Sequence, residues 1–166
     1  MSEYIAWFDQ LTMNDIGRVG GKNASLGEMI SHLSHAGVNV PMGFATTTHA
    51  YQEFLTFNQL PDRINHLLNG LNVDDITALA TTGKTIRGLL LAAPLPGAML
   101  DAIAEAYAKL MTLSGNHEEI SFAVRSSATA EDLADASFAG QQETLLNVHG
   151  LDQIIAAIRI VFASLY

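Results

Sequence analysis

The chain contains no cysteine, which removes disulfides, thiolate metal sites and a cysteine nucleophile, and is compatible with a reducing compartment. It is also poor in cations. Eight lysines and arginines stand against seventeen aspartates and glutamates, a formal net charge of -9, and those eight form no run able to follow a nucleic-acid backbone. A nucleic-acid partner is therefore not expected. Long apolar runs are missing as well: "GLLLAAPLPGAML" is broken by proline and "IIAAIRIVFASLY" by Arg159, and neither is long enough for a bilayer. The opening "MSEYIAWFDQ" carries Glu3 and Asp9 and has no basic segment followed by an apolar stretch, so it does not read as a signal peptide. The expectation is a cytoplasmic protein without a membrane partner.

What is present is a chain of 166 residues, 49% hydrophobic and 15% charged, long enough for one domain with a sizeable core or for one part of a larger enzyme. Apolar Tyr4 to Phe8 predicts a first strand. Leu26, Met29, Ile30 and Leu33 recur at helical spacing after Lys22, with Gly37 placed to end that helix. "VNVPMGFATTT" predicts a buried turn and strand, and Thr46 to Thr48 a helix cap ahead of Tyr51, Phe54 and Leu55. Three further helical segments follow: one around Ile64, Leu67 and Leu68, one capped by Asp74 or Asp75 and resuming at Ile86, and one after Pro96 with Ile103, Tyr107 and Leu110 on its stripe.

At Ile120 the period changes. "ISFAVR" alternates Ile120, Phe122 and Val124 with Ser121, Ala123 and Arg125, the signature of a half-buried strand, and "ETLLNV" supplies a second strand after a long loop. The final segment, Ile154 to Tyr166, is helical and apolar on several faces, which predicts that the chain is a piece of a longer one and that this helix exposes apolar surface.

Two segments carry candidate chemistry. In "GRVGGKNASLGEM", Gly20 and Gly21 permit close backbone approach to a ligand, and the helix that follows offers unpaired N–H groups and a positive dipole end, a place for an anion beside Lys22. The alternative is a glycine hinge with a solvated lysine, Asn23 and Ser25 serving only as helix caps. It is not a Walker loop, because Ile16 and Asn23 occupy the required glycine and Ser/Thr positions; Gly83-Lys84-Thr85 fails likewise at Ala78.

In the second segment, Arg125 ends a strand on the face of small Ser121 and Ala123, where a guanidinium can grip phosphate oxygens bidentately. The loop that follows, about fifteen residues without proline, has the length of a lid or binding loop. Glu131, Asp132 and Asp135 are either a solvated loop face or partners for a basic group or metal, and the alternative for Arg125 is an ion pair with one of them. The six histidines show no ligand spacing.

Together, "WFDQL", "VGGKNASLGEM", "VPMGFATTTHAY" and "FAVRSSATAEDLADASFAGQQETLLNV" resemble the nucleotide-binding domain of the phosphoenolpyruvate synthase and pyruvate phosphate dikinase family, over essentially the whole chain. The resemblance implies an α/β (more narrowly α+β) fold, residues 1–166 being the amino-terminal portion of an ATP-grasp-type domain, helix-rich with a small mixed sheet. It implies ATP and Mg2+, with Lys22 and Arg125 on phosphates and Gly140, Gln141 and Thr144 lining the nucleotide site. The reaction it implies passes phosphate from ATP through a histidine on another domain to pyruvate, giving AMP, phosphoenolpyruvate and phosphate. Pyruvate and the remaining domains of the parent enzyme are then partners, and a homodimer is left open. No catalytic histidine or metal ligand falls within these residues. Rifamycin phosphotransferases share much of the arginine loop and stay open as an alternative, as does a free-standing, non-enzymatic nucleotide-binding module.

Overall fold

A computed structural model describes residues 3–33, 37, 40–72, 74–115, 120–129 and 143–166. Strand β1 (Ile5–Trp7) leads through two 3-10 turns, Phe8–Gln10 and Met13–Asp15, into the short α1 (Ile16–Val19) and then α2 (Gly21–Leu33). Strand β2 (Phe44–Thr46) precedes four helices, α3 (Thr48–Phe57), α4 (Leu60–Leu68), α5 (Ile76–Ala92) and α6 (Gly97–Leu113). Strands β3 (Phe122–Arg125) and β4 (Thr144–Val148) and helix α7 (Gly150–Ala163) follow.

The helix-rich α+β expectation holds. The expected single mixed sheet is instead two separate two-stranded antiparallel ladders among the described residues, β1 with β2 and β3 with β4. Strands of three to five residues cannot stand alone, and each ladder is covered by helices. In the first, Ile5 and Trp7 face the large helical core while Ala6 and its partner Ala45 face a smaller cluster with Leu11 and Val19, as the two-residue alternation of a strand requires.

The large core joins α3 to α7 through Phe54, Leu60, Ile86, Leu90, Met99, Ile103 and Phe162. Local signals place these helices. Thr47, extended and buried, accepts the Ala50 amide to cap α3, and Asp75 accepts the Ala78 amide to cap α5. From Asp75 the chain runs as one uninterrupted helix rather than two segments; Ile76 is 79% exposed, since it stands one residue after the cap, ahead of the turns that meet the core at Ile86 and Leu90. Gly83-Lys84-Thr85 lies inside α5, with Lys84 exposed and the Thr85 hydroxyl donating back to the Thr81 carbonyl. No single helix of the described residues is long and apolar enough to cross a membrane.

Two helices differ from their sequence patterns. The buried residues of α2 are Gly21, Asn23, Ala24 and Gly27, whereas Met29 and Leu33 of the expected stripe are exposed. The reason is distance: α2 lies so close to the segment before it that a Cβ on Gly27 would stand 2.2 Å from the Leu11 carbonyl oxygen, and only small residues fit such an approach. Helix α7, expected to expose apolar surface, is in fact packed against α5, α6, β3 and β4. Ile154, Ala157, Ile158, Phe162 and Ala163 are buried, Ile155, Ile160 and Val161 are half-buried, and Leu165 beyond its end is exposed, so that part of its apolar surface is still uncovered. The Ser164 hydroxyl donates to the Val161 carbonyl, and Arg87 of α5 donates to the carbonyl of Tyr166.

Strand β4 contains an irregularity the sequence did not announce. Phe122 pairs with Val148 but Val124 pairs with Leu145, so β4 carries one extra residue, and Asn147 takes up a left-handed φ of 56° there. This bulge shifts the alternation by one, which lets Leu145 and Val148, three apart, both reach the core while Leu146 is 68% exposed.

Two glycines of similar helical setting should therefore respond oppositely. Gly88→Ala in α5, where nothing lies within 4 Å of a new Cβ, is expected to stabilise by up to about 1 kcal/mol, whereas Gly27→Ala should destabilise despite the better helix propensity of alanine. Chemical denaturation of both variants checks the pair of signs. Phe54→Ala, in the large core, should lose about 3–5 kcal/mol in the same assay.

Candidate functional site

A cleft of about 610 Å³ is walled by residues of α1 and α2, by residues 41–48 with β2, and by β3, the segment after it and α7. Chain chemistry brings these walls together at one point. Gly20 ends α1 with φ +81° and ψ 161°, a backbone state open to glycine, and a Cβ there would lie 2.0 Å from the Ser127 carbonyl oxygen. One residue into the helix beyond Lys22, the Asn23 amide donates to the Ser127 hydroxyl at 3.1 Å, a bond between residues 104 apart in sequence. An orphan donor of the first turn of α2 is thus satisfied from the segment that follows the arginine strand.

Asn23 is not the cap that its place in the sequence suggested. Its side chain turns back and donates to the Val19 carbonyl at 2.9 Å, closing the end of α1, and the residue is buried. Ser25 is exposed, its hydroxyl beside the Met13 sulfur at 3.9 Å.

Arg125 lines the cleft from the end of β3 and is exposed, with Ser121 and Ala123 exposed on the same side and Phe122 and Val124 turned to the core. Among the described residues no carboxylate pairs with its guanidinium; the loop acids Glu131, Asp132 and Asp135 lie outside them. Its cross-strand partner is Thr144, the first residue of β4 and also exposed, so the two side chains stand side by side on one face of the ladder. The Ser126 amide donates to the Glu143 carbonyl and continues the ladder past Arg125.

Lys22 is half-buried in the first turn of α2, next to Asn23. Asn23 belongs to the cleft lining and Lys22 does not. The structure therefore joins the backbones of the two motifs, sets Arg125 and Thr144 on one face, and leaves the lysine at the margin. Gly140 and Gln141 lie outside the described residues.

Several features of the cleft had no sequence signal. Arg18 lines it from α1, with its side chain 41% exposed and Asp15 at a long 3.7 Å. Ser126, 3% exposed, and Tyr51 both belong to the lining, and their buried hydroxyls have no hydrogen-bond partner among the described residues. Burial first, and then the neighbouring Tyr166 phenol, which misses hydrogen-bond geometry, push the Tyr51 hydroxyl well above the ordinary tyrosine range. Tyr51 is thus a neutral wall group at any physiological pH. The deeper wall, with Ile158, Val161 and Phe162, is apolar. A cleft lined both by arginines and hydroxyls and by apolar side chains suits a ligand that is both anionic and partly apolar.

The arrangement agrees with what the chain is similar to. The family model described as "Pyruvate phosphate dikinase, AMP/ATP-binding domain" matches residues 16–166. Phosphoenolpyruvate synthase of Escherichia coli K12 is 54% identical over 165 residues, covering 99% of this chain and 20% of that protein. Phosphoenolpyruvate synthase of Neisseria meningitidis serogroup B is 56% identical over 163 residues, again covering 20% of the relative. A probable phosphoenolpyruvate synthase of Methanocaldococcus jannaschii is 45% identical over 164 residues and is covered to 13%. The chain spans at most about a fifth of the length of these relatives. Because the match takes in both the glycine-lysine turn and the arginine strand docked upon it, the chain belongs to the pyruvate phosphate dikinase AMP/ATP-binding domain family.

Proposed function

We propose that the chain is the amino-terminal ATP-binding part of a phosphoenolpyruvate synthase, and that Lys22, Arg125 and Thr144, with Gly140 and Gln141 of the intervening loop, contact the nucleotide. The observation that carries this reading is the docking of the Gly20–Asn23 turn on Ser127. It ties the lysine-bearing helix start to the arginine-bearing strand end, through residues 104 apart in sequence. The names of the relatives, all phosphoenolpyruvate synthases, favour pyruvate as the eventual phosphate acceptor over an antibiotic hydroxyl.

In this reading the parent enzyme has an ATP-grasp architecture, works in the cytoplasm and closes a second subdomain over the nucleotide. Phosphoryl transfer asks little covalent chemistry of the protein; it asks for positioning and for cations where charge accumulates. Arg125 offers a planar fork for two phosphate oxygens, with the Thr144 hydroxyl beside it. Lys22 offers a point charge at a helix start whose dipole favours anions. The apolar wall excludes water from one side of the ligand, which strengthens each of these contacts. Mg2+ accompanies ATP in such chemistry, but among the described residues no group of three histidines or carboxylates is placed to hold a metal ion. As the family resemblance implies, its ligands would come from the rest of the parent.

In the complete enzyme, Lys22→Ala or Arg125→Ala should lower ATP-dependent AMP formation roughly a hundredfold or more, about 2.7 kcal/mol of transition-state stabilisation. AMP formation at the parental rate in either variant would contradict the assignment. Residues 1–166 alone should bind ATP weakly or not at all, since half of the nucleotide cleft belongs to residues beyond them. Calorimetry on that piece checks this, tight binding being the adverse result.

A further inference from the structure

Arg18 was only one of eight cations in the sequence, and nothing in its neighbourhood there distinguished it. In the fold it lines the same cleft as Arg125, from α1 rather than from β3. The joint that brings it there is the one already described: Gly20, two residues on, rests on Ser127, two residues after Arg125. A chain of net charge -9 thus brings two of its eight lysines and arginines to the lining of one 610 Å³ space. An anion in that space meets the potential of both.

The contact that Arg18 makes inside the chain is weak. Its Nη1 stands 3.7 Å from Asp15 Oδ1, at the limit of an ion pair, and both groups are partly solvated, an arrangement that contributes little to stability. One oxygen of Asp15 is committed elsewhere: Oδ2 accepts the Thr12 amide at 2.9 Å and the Thr12 hydroxyl at 3.1 Å, closing a capping box around the Met13–Asp15 turn and leaving Oδ1 toward Arg18. Asp15 is thereby fixed, and it holds the guanidinium of Arg18 only through this long contact. A restrained, incompletely paired guanidinium at a cleft edge loses less freedom on meeting an oxyanion than a free one would.

We propose that Arg18 is a further ligand-binding residue of the cleft, contacting the phosphate chain of the nucleotide from the α1 wall while Arg125 contacts it from β3. This rests on the ATP reading of the site and adds to it a residue that reads phosphate charge. Its contribution should grow with the number of phosphates on the ligand. Because its intrachain pair is weak, the side chain is expendable for folding.

The test is made in the complete enzyme with Arg18→Ala, Arg18→Lys and, as a control, Arg125→Ala, titrated with ATP, AMP and adenosine. The expected result for R18A is a roughly tenfold or greater rise in the Kd and KM for ATP, a smaller rise for AMP, unchanged adenosine binding and a thermal midpoint close to that of the parent. R18K should recover part of the loss. Unchanged ATP affinity in R18A with a loss in R125A overturns the role of Arg18 and leaves the nucleotide reading standing. Unchanged ATP affinity in both overturns the two together. An equal loss for ATP and adenosine in R18A also overturns the proposal, since it would report a disturbed cleft rather than a missing charge. Should R18A not fold, Arg18→Gln carries the same comparison, keeping the bulk of the side chain without its charge.

Discussion

The structure depends on how closely one backbone passes another at Gly20. Three circumstances coincide there: a left-handed φ, a carbonyl of Ser127 where a side chain would begin, and a helix donor at Asn23 aimed at the Ser127 hydroxyl. None of them is large by itself; a single hydrogen bond of this kind contributes about 1 kcal/mol. Their joint effect is positional. They hold the start of α2 against the continuation of β3, and every side chain on either segment inherits its place from that contact.

The same economy of distance explains α2. A helix that must pass within van der Waals contact of the Leu11 backbone buries glycine and alanine and turns its larger apolar residues outward. The usual inference from an apolar stripe to a buried face fails when backbone proximity, rather than side-chain volume, sets the packing. Helix α7 shows the converse. Its apolar residues are spread around the helix because both the β3–β4 ladder and the α5–α6 pair lie against it. Through that packing the arginine strand is anchored to the main core by Phe122, Val124, Leu145 and Val148, while Arg125 and Thr144 stay on the open face.

The lining of the cleft that results divides by chemistry. Its cations come from residues at chain turns, Arg18 before Gly20 and Arg125 at the last position of a strand, where backbone direction changes and a side chain can project. Much of its apolar surface comes from helix α7, and the buried hydroxyls of Ser126 and Tyr51 belong to the same lining. In an acidic chain such cations attract anions by their local potential, whatever the sign of the net charge.

Much of this was legible in the residues alone. The alternation of "ISFAVR" assigns Arg125 to the open face of a strand, the threonines 46–48 and the Asp74-Asp75 pair mark helix starts whose caps prove to be Thr47 and Asp75, and Gly20-Gly21-Lys22 marks a turn into a helix, because each depends on chemistry within a few neighbouring residues. The family likeness rests on the same local strings. What only the tertiary structure decided is whatever depends on two distant segments touching: the Ser127 cap on α2, the burial of α2 by its small face, the one-residue shift at Asn147, and the presence of Arg18 beside the cleft. Periodicity records which side of an element is apolar. It carries no record of how near the next element comes, and that distance set the site.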